Sequence, residues 1–161
     1  MSDSKPVSMM NAVEPWRQRY IDFWTSLNPE SVAQLPHVFT EDVRFRDPHN
    51  DVRGHAGLSR IFNHLFASCA MARFSVLEAV SFGRGAYLRW EFRFTLRARK
   101  NPGRQWCIEG VSRVVCDDEG RIREHLDFWD PAQQLYEQLP VVGGLFRVLR
   151  RRLAAPGSTV D

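Results

Sequence analysis

An aspartate at the end of a predicted strand is the first residue with the character of a catalytic group. Residues 43–47 alternate apolar and polar side chains, which predicts a short strand that ends before Pro48. Asp47 shares a face with Val43 and Phe45, so its carboxylate follows two apolar side chains toward the interior. A carboxylate in such a place can act as a general base. An aspartate before a proline can instead cap a turn, and both interpretations are open here.

A histidine and a second aspartate are two residues apart near the end of the last predicted strand. His125, Asp127 and Trp129 are two residues apart and therefore lie on one face of that strand. A neighbouring aspartate can fix the tautomer of an imidazole that moves a proton. The pair therefore indicates acid–base chemistry. The alternative is that the two side chains satisfy each other's hydrogen bonds in the interior.

The remaining histidines and the cysteines form no metal-ligand pattern. His49 and His55 flank Asp51 in a polar stretch, but nothing nearby completes a closed set of ligands. The three cysteines are odd in number and none forms a C-x-x-C motif, which predicts reduced thiols. The first eleven residues lack the features of a secretion signal. We therefore predict a cytoplasmic protein that uses no metal and no cofactor.

The elements that must position these side chains follow from the periodicity of the chain. Apolar residues recur with helical spacing first, and with strand spacing after about residue 74. The spacing predicts helices over 14–27, from 29 to about 35, over 58–66 and from 131 onward, and strands over 43–47, 74–82, 86–97, 106–116 and 121–129. A loop is predicted over 48–57 and a hairpin turn at 100–103. This order predicts an α+β domain, with helices covering one face of a curved sheet that leaves a hollow end.

Several short segments resemble one superfamily. They are Arg19-Tyr20, Phe39-Thr40-Glu41-Asp42-Val43, Asp47-Pro48 with Gly54 downstream, Asp118-Glu119-Gly120-Arg121-Ile122 and Phe128-Trp129-Asp130. Over residues 14–132 the sequence resembles the nuclear transport factor 2-like superfamily, in its ketosteroid isomerase and polyketide-cyclase (SnoaL-like) branch. The resemblance implies a cone-shaped α+β fold, with N-terminal helices packed on a strongly curved, mostly antiparallel sheet. Residues 1–13 then form a flexible lead, and residues 133–161 a helical extension with a basic tail.

The resemblance also suggests roles for individual side chains. It aligns Asp47 with the general base of ketosteroid isomerases, and Tyr20 with the phenol that donates to the substrate oxygen. Ser112 stands where those isomerases carry a protonated carboxylic acid, so this chain departs from their pattern there. Polyketide-cyclase relatives use an acid or base in the region of Asp127 and His125. The resemblance thus implies either isomerisation or cyclisation.

The expected ligand is small, mostly apolar and carries a carbonyl group, as steroids and polyketides do. The side chains predicted to line its pocket are Trp16, Phe45, Phe62, Trp90, Trp106, Ser112 and Trp129. A non-catalytic binding protein that uses the same pocket is the alternative from another functional class. Epoxide hydrolysis is disfavoured, because the Arg-x-Asp motif of such relatives is absent from the sequence.

The outer face of the sheet and the charge of the C-terminal tail indicate which macromolecules this protein binds. Alternating charges with apolar spacers predict a self-complementary outer face that forms a homodimer, as is common in the family. The residues of this face are Arg89, Glu91, Arg93, Glu109, Val111 and Arg113.

Residues 147–161 contain four arginines and one acid, which accounts for the whole net charge of +3. The rest of the chain is neutral, so we predict no nucleic-acid binding.

The tail contains a basic amphipathic helix. Leu145, Phe146, Leu149 and Leu153 lie on one side of a helix that begins after Gly144. We expect this side to pack on its own domain or on a second copy. Peripheral contact with a membrane surface is the alternative.

Overall fold

The computed structural model describes residues 14–97, 103–155 and 157, so the predicted N-terminal lead and most of the predicted turn at 100–103 lie outside the described residues. The helices are α1 (Pro15–Thr25), α2 (Leu35–Val38), α3 (Gly54–Ser68), α4 (Pro131–Gln134) and α5 (Val142–Leu153), with 3-10 helices at Pro29–Gln34 and Tyr136–Gln138. The strands are β1 (Phe39–Arg46), β2 (Asp51–Arg53), β3 (Cys69–Phe82), β4 (Gly85–Leu96), β5 (Gln105–Cys116) and β6 (Ile122–Phe128).

The six strands form one curved sheet in the order β2-β1-β6-β5-β4-β3. The strands β1 and β6 run parallel, and all other neighbours run antiparallel. This topology brings β6 to the centre of the sheet, between β1 and β5. The predicted α+β architecture is confirmed.

Helices α1 and α3 cover the inner face of the sheet. Their buried side chains, which include Tyr20, Trp24 and Phe62, join the inward-facing residues of the strands in one core. Strand β4 shows the alternation that makes this possible. Its residues Leu88, Trp90, Phe92 and Phe94 are buried, whereas Arg89 and Arg93 are exposed, as the period of two predicts. No described helix is long and apolar enough to span a membrane.

The segment predicted as a loop over 48–57 contains a strand instead. Asp47 closes a tight turn in which its backbone N–H donates to the carbonyl of Asn50, at 2.9 Å. The turn places β2 against β1, where Arg53 pairs with Arg44. Gly54 then adopts a left-handed φ of 71°, which lets the chain pass directly from β2 into α3. The loop prediction was wrong because the aspartate's capping bonds make this turn short.

The outer face of the sheet carries ion pairs, with exposed apolar side chains between them. Arg89 bridges Glu78 and Glu109 at 3.1 and 3.2 Å. Tyr87 and Phe128 remain exposed on the same sheet. The homodimer contact expected on this face stays a prediction.

The leucines of the C-terminal helix α5 are more exposed than the sequence predicts. The helix spans Val142–Leu153 and contacts the preceding 3-10 helix, but Leu145, Leu149 and Leu153 are 59%, 46% and 88% exposed. The expectation that these leucines pack on their own domain is therefore wrong within the described residues, whereas packing on a second copy stays a prediction. The physical reason is that α5 packs through Gly143 and through Phe146, which alone of the predicted apolar side is partly buried.

Candidate functional site

Five polar side chains form a continuous hydrogen-bonded chain inside the domain, here called the inner polar network. The Tyr20 hydroxyl lies 2.6 Å from His125 Nδ1, and His125 Nε2 lies 2.7 Å from Asp127 Oδ1. The same carboxylate oxygen accepts from Ser112 Oγ at 2.5 Å, and Ser112 Oγ accepts from Trp90 Nε1 at 2.8 Å. The network thus brings together five of the predicted site residues, from α1, β4, β5 and β6.

The direction of each bond follows from which groups can only donate or only accept. An ionised carboxylate accepts, so His125 Nε2 and Ser112 Oγ both donate to Asp127. A neutral imidazole that donates from Nε2 has an acceptor at Nδ1, and the Tyr20 hydroxyl donates to it. Two donors therefore converge on Oδ1 of Asp127. The other carboxylate oxygen, Oδ2, accepts no hydrogen bond from any residue in the described parts of the chain.

Sheet register explains why these side chains meet. His125 and Asp127 point inward from β6, and Ser112 on β5 stands directly opposite Asp127. On the next pair of strands, Trp90 stands opposite Gly110. A Cβ at position 110 would lie 2.5 Å from the Trp90 ring, so only glycine leaves room for the indole that donates to Ser112. The glycine and the register together set the position of the network.

Burial governs the electrostatics of the network. Tyr20 is 2% exposed and His125 is 1% exposed. Desolvation by this burial, followed by the negative charge of Asp127, raises the pKa of the Tyr20 phenol well above its usual range. The phenol therefore stays protonated and keeps donating to His125. In this arrangement its hydroxyl lies 2.6 Å from His125 Nδ1, and the role of substrate donor that the resemblance implies stays a prediction.

Two neighbouring cavities adjoin the network. The smaller has a volume of about 20 Å³, enough for one water molecule, and lies among Tyr20, Ser112 and His125. The larger has a volume of about 160 Å³, and its walls are mostly apolar. Asp127 lines both cavities. The larger one is lined by Trp24, Phe45, Asp47, Ile61, Phe62, Leu65, Phe74, Trp90, Phe92, Ile108, Asp127 and Trp129.

Asp47 lines the larger cavity and also caps a turn. Its Oδ1 accepts from the backbone N–H groups of His49 and Asn50, both at 2.7 Å. The side-chain amide of Asn50 donates to both carboxylate oxygens, at 3.0 and 2.9 Å. The Asp47 carboxylate thus lines the cavity and also caps the turn, as the two sequence interpretations separately predicted. Both carboxylate oxygens of Asp47 accept hydrogen bonds, whereas Asp127 Oδ2 accepts none from the described residues.

The other predicted lining residues divide into two groups. Phe45, Phe62, Trp90 and Trp129 line the larger cavity, as expected, and Ser112 lines the smaller one. Trp16 and Trp106 line neither of these two cavities. Trp16 lies beside the turn at Gly120, and Trp106 is covered by the guanidinium of Arg104, which is 4.4 Å from the ring centre.

Trp24 is a cavity residue that the sequence did not single out. It lines both cavities, and its Nε1 is buried without a hydrogen bond of acceptable geometry. It lies close enough to Tyr20 to lower the pKa of that phenol, though less than burial raises it. Its spacing of four residues from Tyr20 on the buried face of α1 was the available signal. In the described ranges, no three His, Cys, Asp or Glu side chains are placed to hold a metal ion.

Comparison with known proteins identifies the family. The sequence profile of the SnoaL-like domain matches residues 18–125, whereas comparison with curated proteins finds no significant match. An NTF2-like protein of unknown function from Burkholderia pseudomallei has a similar structure, with a TM-score of 0.65 and 17% identity over 75% of this chain and 95% of its own.

Two further solved structures are similar in fold. A protein from Shewanella putrefaciens described as a SnoaL-like polyketide cyclase has a TM-score of 0.65 and 18% identity, covering 79% of this chain and 97% of its own. An LEH-like epoxide hydrolase from M. tuberculosis has a TM-score of 0.59 and 14% identity, covering 84% and 92%. At such identities the neighbours establish the fold alone. With the profile covering most of the domain, the chain belongs to the SnoaL-like domain family.

Proposed function

We propose that this protein catalyses proton transfer on a small, mostly apolar carbonyl compound, with Asp127 as the general base and without a cofactor. The observation that carries this proposal is the unequal environment of the two Asp127 oxygens. His125 and Ser112 hold Oδ1, whereas Oδ2 has no described donor and belongs to a residue that lines the larger cavity. A base that is fixed through one oxygen and free at the other is positioned for proton abstraction.

The chemistry that this arrangement favours starts beside the carbonyl group of the ligand. Asp127 Oδ2 removes a proton from the adjacent carbon, and the electron pair of that C–H bond moves toward the carbonyl oxygen as an enolate. Return of the proton to another carbon completes an isomerisation. Attack of the enolate carbon on a second carbonyl group of the same ligand forms a ring instead, and the resulting alkoxide takes the proton back from Asp127, which is the cyclase alternative. His125 and Tyr20 act as positioning residues in both reactions.

The enolate oxygen requires a hydrogen-bond donor. Trp24 is our candidate, because its indole N–H approaches Tyr20 but makes no well-formed hydrogen bond within the described residues, and its side chain lines the same cavity as Asp127. We expect Trp24→Phe to lower kcat more than it raises KM, since the donor acts on charge that develops only in the transition state.

Cavity size limits the class of ligand. A cavity of about 150 Å³ holds benzene, so the 160 Å³ found here supports a ligand of about one ring or a short chain. A complete four-ring steroid exceeds this volume. The steroid-like substrate of the sequence prediction is therefore narrowed in this proposal to a monocyclic or short polyketide-like carbonyl compound.

The test follows conversion of 3-cyclohexen-1-one to its conjugated isomer, 2-cyclohexen-1-one, by ultraviolet absorbance. We expect turnover in the native protein and at least a roughly 100-fold lower kcat/KM in Asp127→Asn, because general-base catalysis contributes about that much or more. Asp47→Asn changes the other carboxylate that lines the same cavity and is the matched control, and we expect its kcat/KM to change less than about tenfold.

The two variants separate the alternatives. A large loss in Asp47→Asn with little change in Asp127→Asn would assign the base to Asp47, as the family resemblance implies. Absence of turnover above buffer would reject proton transfer on this compound class. Thermal stabilisation of the native protein by 2-cyclohexen-1-one without turnover would then favour the non-catalytic binding protein.

A further inference from the structure

The C-terminal helix α5 is anchored to the domain along one side. Arg147 Nη1 donates to the backbone carbonyl of Glu137 at 2.6 Å. Arg150 Nε lies 2.9 Å from Glu137 Oε1, an ion pair whose angle falls outside that of a hydrogen bond. Glu137 is buried, and the ring of Phe146 packs on Tyr136 with centroids 5.4 Å apart. The orientation of α5 is therefore set by its contacts with the segment before it.

The other side of α5 exposes a continuous apolar surface, here called the α5 stripe. The members of the stripe are all aliphatic and are Val142, Leu145, Val148, Leu149 and Leu153. Positions 142, 145, 149 and 153 follow the spacing of one helix face. Scattered exposed leucines are ordinary, but a stripe along a whole helix marks a surface that is covered by something.

The charges of α5 restrict what can cover the stripe. The helix contains four arginines and no acidic residue. Arg151 and Arg152 are exposed, and neither has an ion pair with a residue in the described chain. A second copy of α5 laid on the stripe would bring more arginines and no countercharge. The surface that matches α5 must offer both an apolar interior and negative charge.

We propose that α5 lies on an anionic membrane surface, with its stripe at the boundary of the acyl chains and its free arginines among the lipid headgroups. Aliphatic side chains beside arginines are typical of helices that bind in the plane of a membrane. An acidic protein groove is less well matched, because leucine and valine are under-represented among the residues that dominate protein–protein affinity. The short helix binds reversibly, since its two free arginines supply only a modest, salt-sensitive attraction.

This surface is connected to the larger cavity through the segment before α5. The Tyr136 hydroxyl lies 2.7 Å from His49 Nε2. The His49 ring packs against Trp129, with centroids 5.3 Å apart, and Trp129 lines the cavity. A membrane-bound α5 is therefore connected to the cavity wall through Tyr136 and His49.

The test is flotation of the full chain with lipid vesicles. Vesicles of phosphatidylcholine with about 30% phosphatidylserine are compared with vesicles of phosphatidylcholine alone. We expect binding to the anionic vesicles only, with loss of binding as salt concentration rises. The double variant Arg151→Gln/Arg152→Gln should weaken binding about 30-fold, and Leu145→Gln should weaken it about tenfold.

A charge-matched control separates the helix from the net charge of the protein. Arg60→Gln/Arg123→Gln removes two exposed arginines elsewhere and should leave vesicle binding within about twofold of the native protein. Equal loss of binding in this control, or no binding of the native protein to anionic vesicles, would overturn the proposal. Sedimentation equilibrium tests the second-copy alternative. A native oligomer that Leu145→Gln dissociates would also overturn the proposal.

Discussion

The inner polar network and the α5 stripe depart from the usual partition of side chains in opposite directions. The network buries a phenol, an imidazole and a carboxylate among aromatic rings, whereas the stripe exposes aliphatic side chains to solvent. Most buried polar groups in proteins are satisfied by hydrogen bonds, and most large apolar surfaces are covered. The network meets the first condition within the chain. The stripe does not meet the second condition within the described residues.

The difference also concerns how each region is held in place. The hydrogen bonds of the network join α1, β4, β5 and β6, and the rings of Phe45 and His125 lie with centroids 4.5 Å apart. The helix α5 depends on contacts with the short segment around Glu137. Substitutions in the network should therefore affect the whole fold, whereas substitutions in the stripe should affect binding alone.

The largest expected effect on stability comes from removing the centre of the network. We expect His125→Ala to lower the free energy of unfolding by about 3–4 kcal/mol, because it leaves a void and removes the partners of Tyr20 and Asp127. Urea unfolding monitored by tryptophan fluorescence measures this change. His37→Ala is the matched control on an exposed part of α2 and should cost less than about 0.5 kcal/mol. Similar costs for the two variants would contradict the assignment of His125 as a central polar contact.

An intermediate effect is expected from Tyr20→Phe, which removes one hydroxyl and leaves His125 Nδ1 without its donor. The expected cost is about 1–2 kcal/mol near pH 8. Because burial and Asp127 raise the pKa of Tyr20, the neutral phenol stabilises the folded protein. That contribution is fully present below the pKa of tyrosine in the unfolded chain, about 10, and is lost as the pH rises through the folded pKa.

The difference in unfolding free energy between the native protein and Tyr20→Phe should therefore shrink between pH 8 and pH 11. Tyr87→Phe removes an exposed phenol of the outer sheet face and controls for general alkaline effects. A difference that stays constant across this range would show that the pKa of Tyr20 is the same in the folded and unfolded protein. The Tyr20 hydroxyl would then be more accessible to solvent than the structure indicates.

Much of the fold was accessible from sequence periodicity. The apolar stripe of α1 and the alternation in β4 predicted which faces are buried, and two-residue spacing predicted that His125 and Asp127 share one face of β6. These predictions depend on local geometry, which the sequence encodes directly. The family resemblance, rather than periodicity, placed Tyr20 and Ser112 near the site.

The parts that were missed depend on contacts between distant residues. The strand β2 forms because the Asp47 side chain bonds across its own turn, and the larger cavity faces Trp24 because α1 crosses the sheet at one particular place. The exposure of Leu149 depends on which side of α5 meets Glu137. Helical spacing identifies an apolar side but does not identify its neighbour.

The smallest expected effect is therefore the most informative about α5. Leu149→Ala should change the free energy of unfolding by less than about 0.5 kcal/mol, because Leu149 is 46% exposed and fills no cavity. The matched variant Leu58→Ala, in the fully buried part of α3, should cost about 2–5 kcal/mol. Urea unfolding in the absence of lipid measures both. A cost above about 1 kcal/mol for Leu149→Ala that falls on dilution of the protein would mean that a second copy covers the stripe in solution. A negligible cost at all concentrations leaves the leucine free for a lipid surface, and the contrast with the inner polar network then holds in solution as well as in the structure.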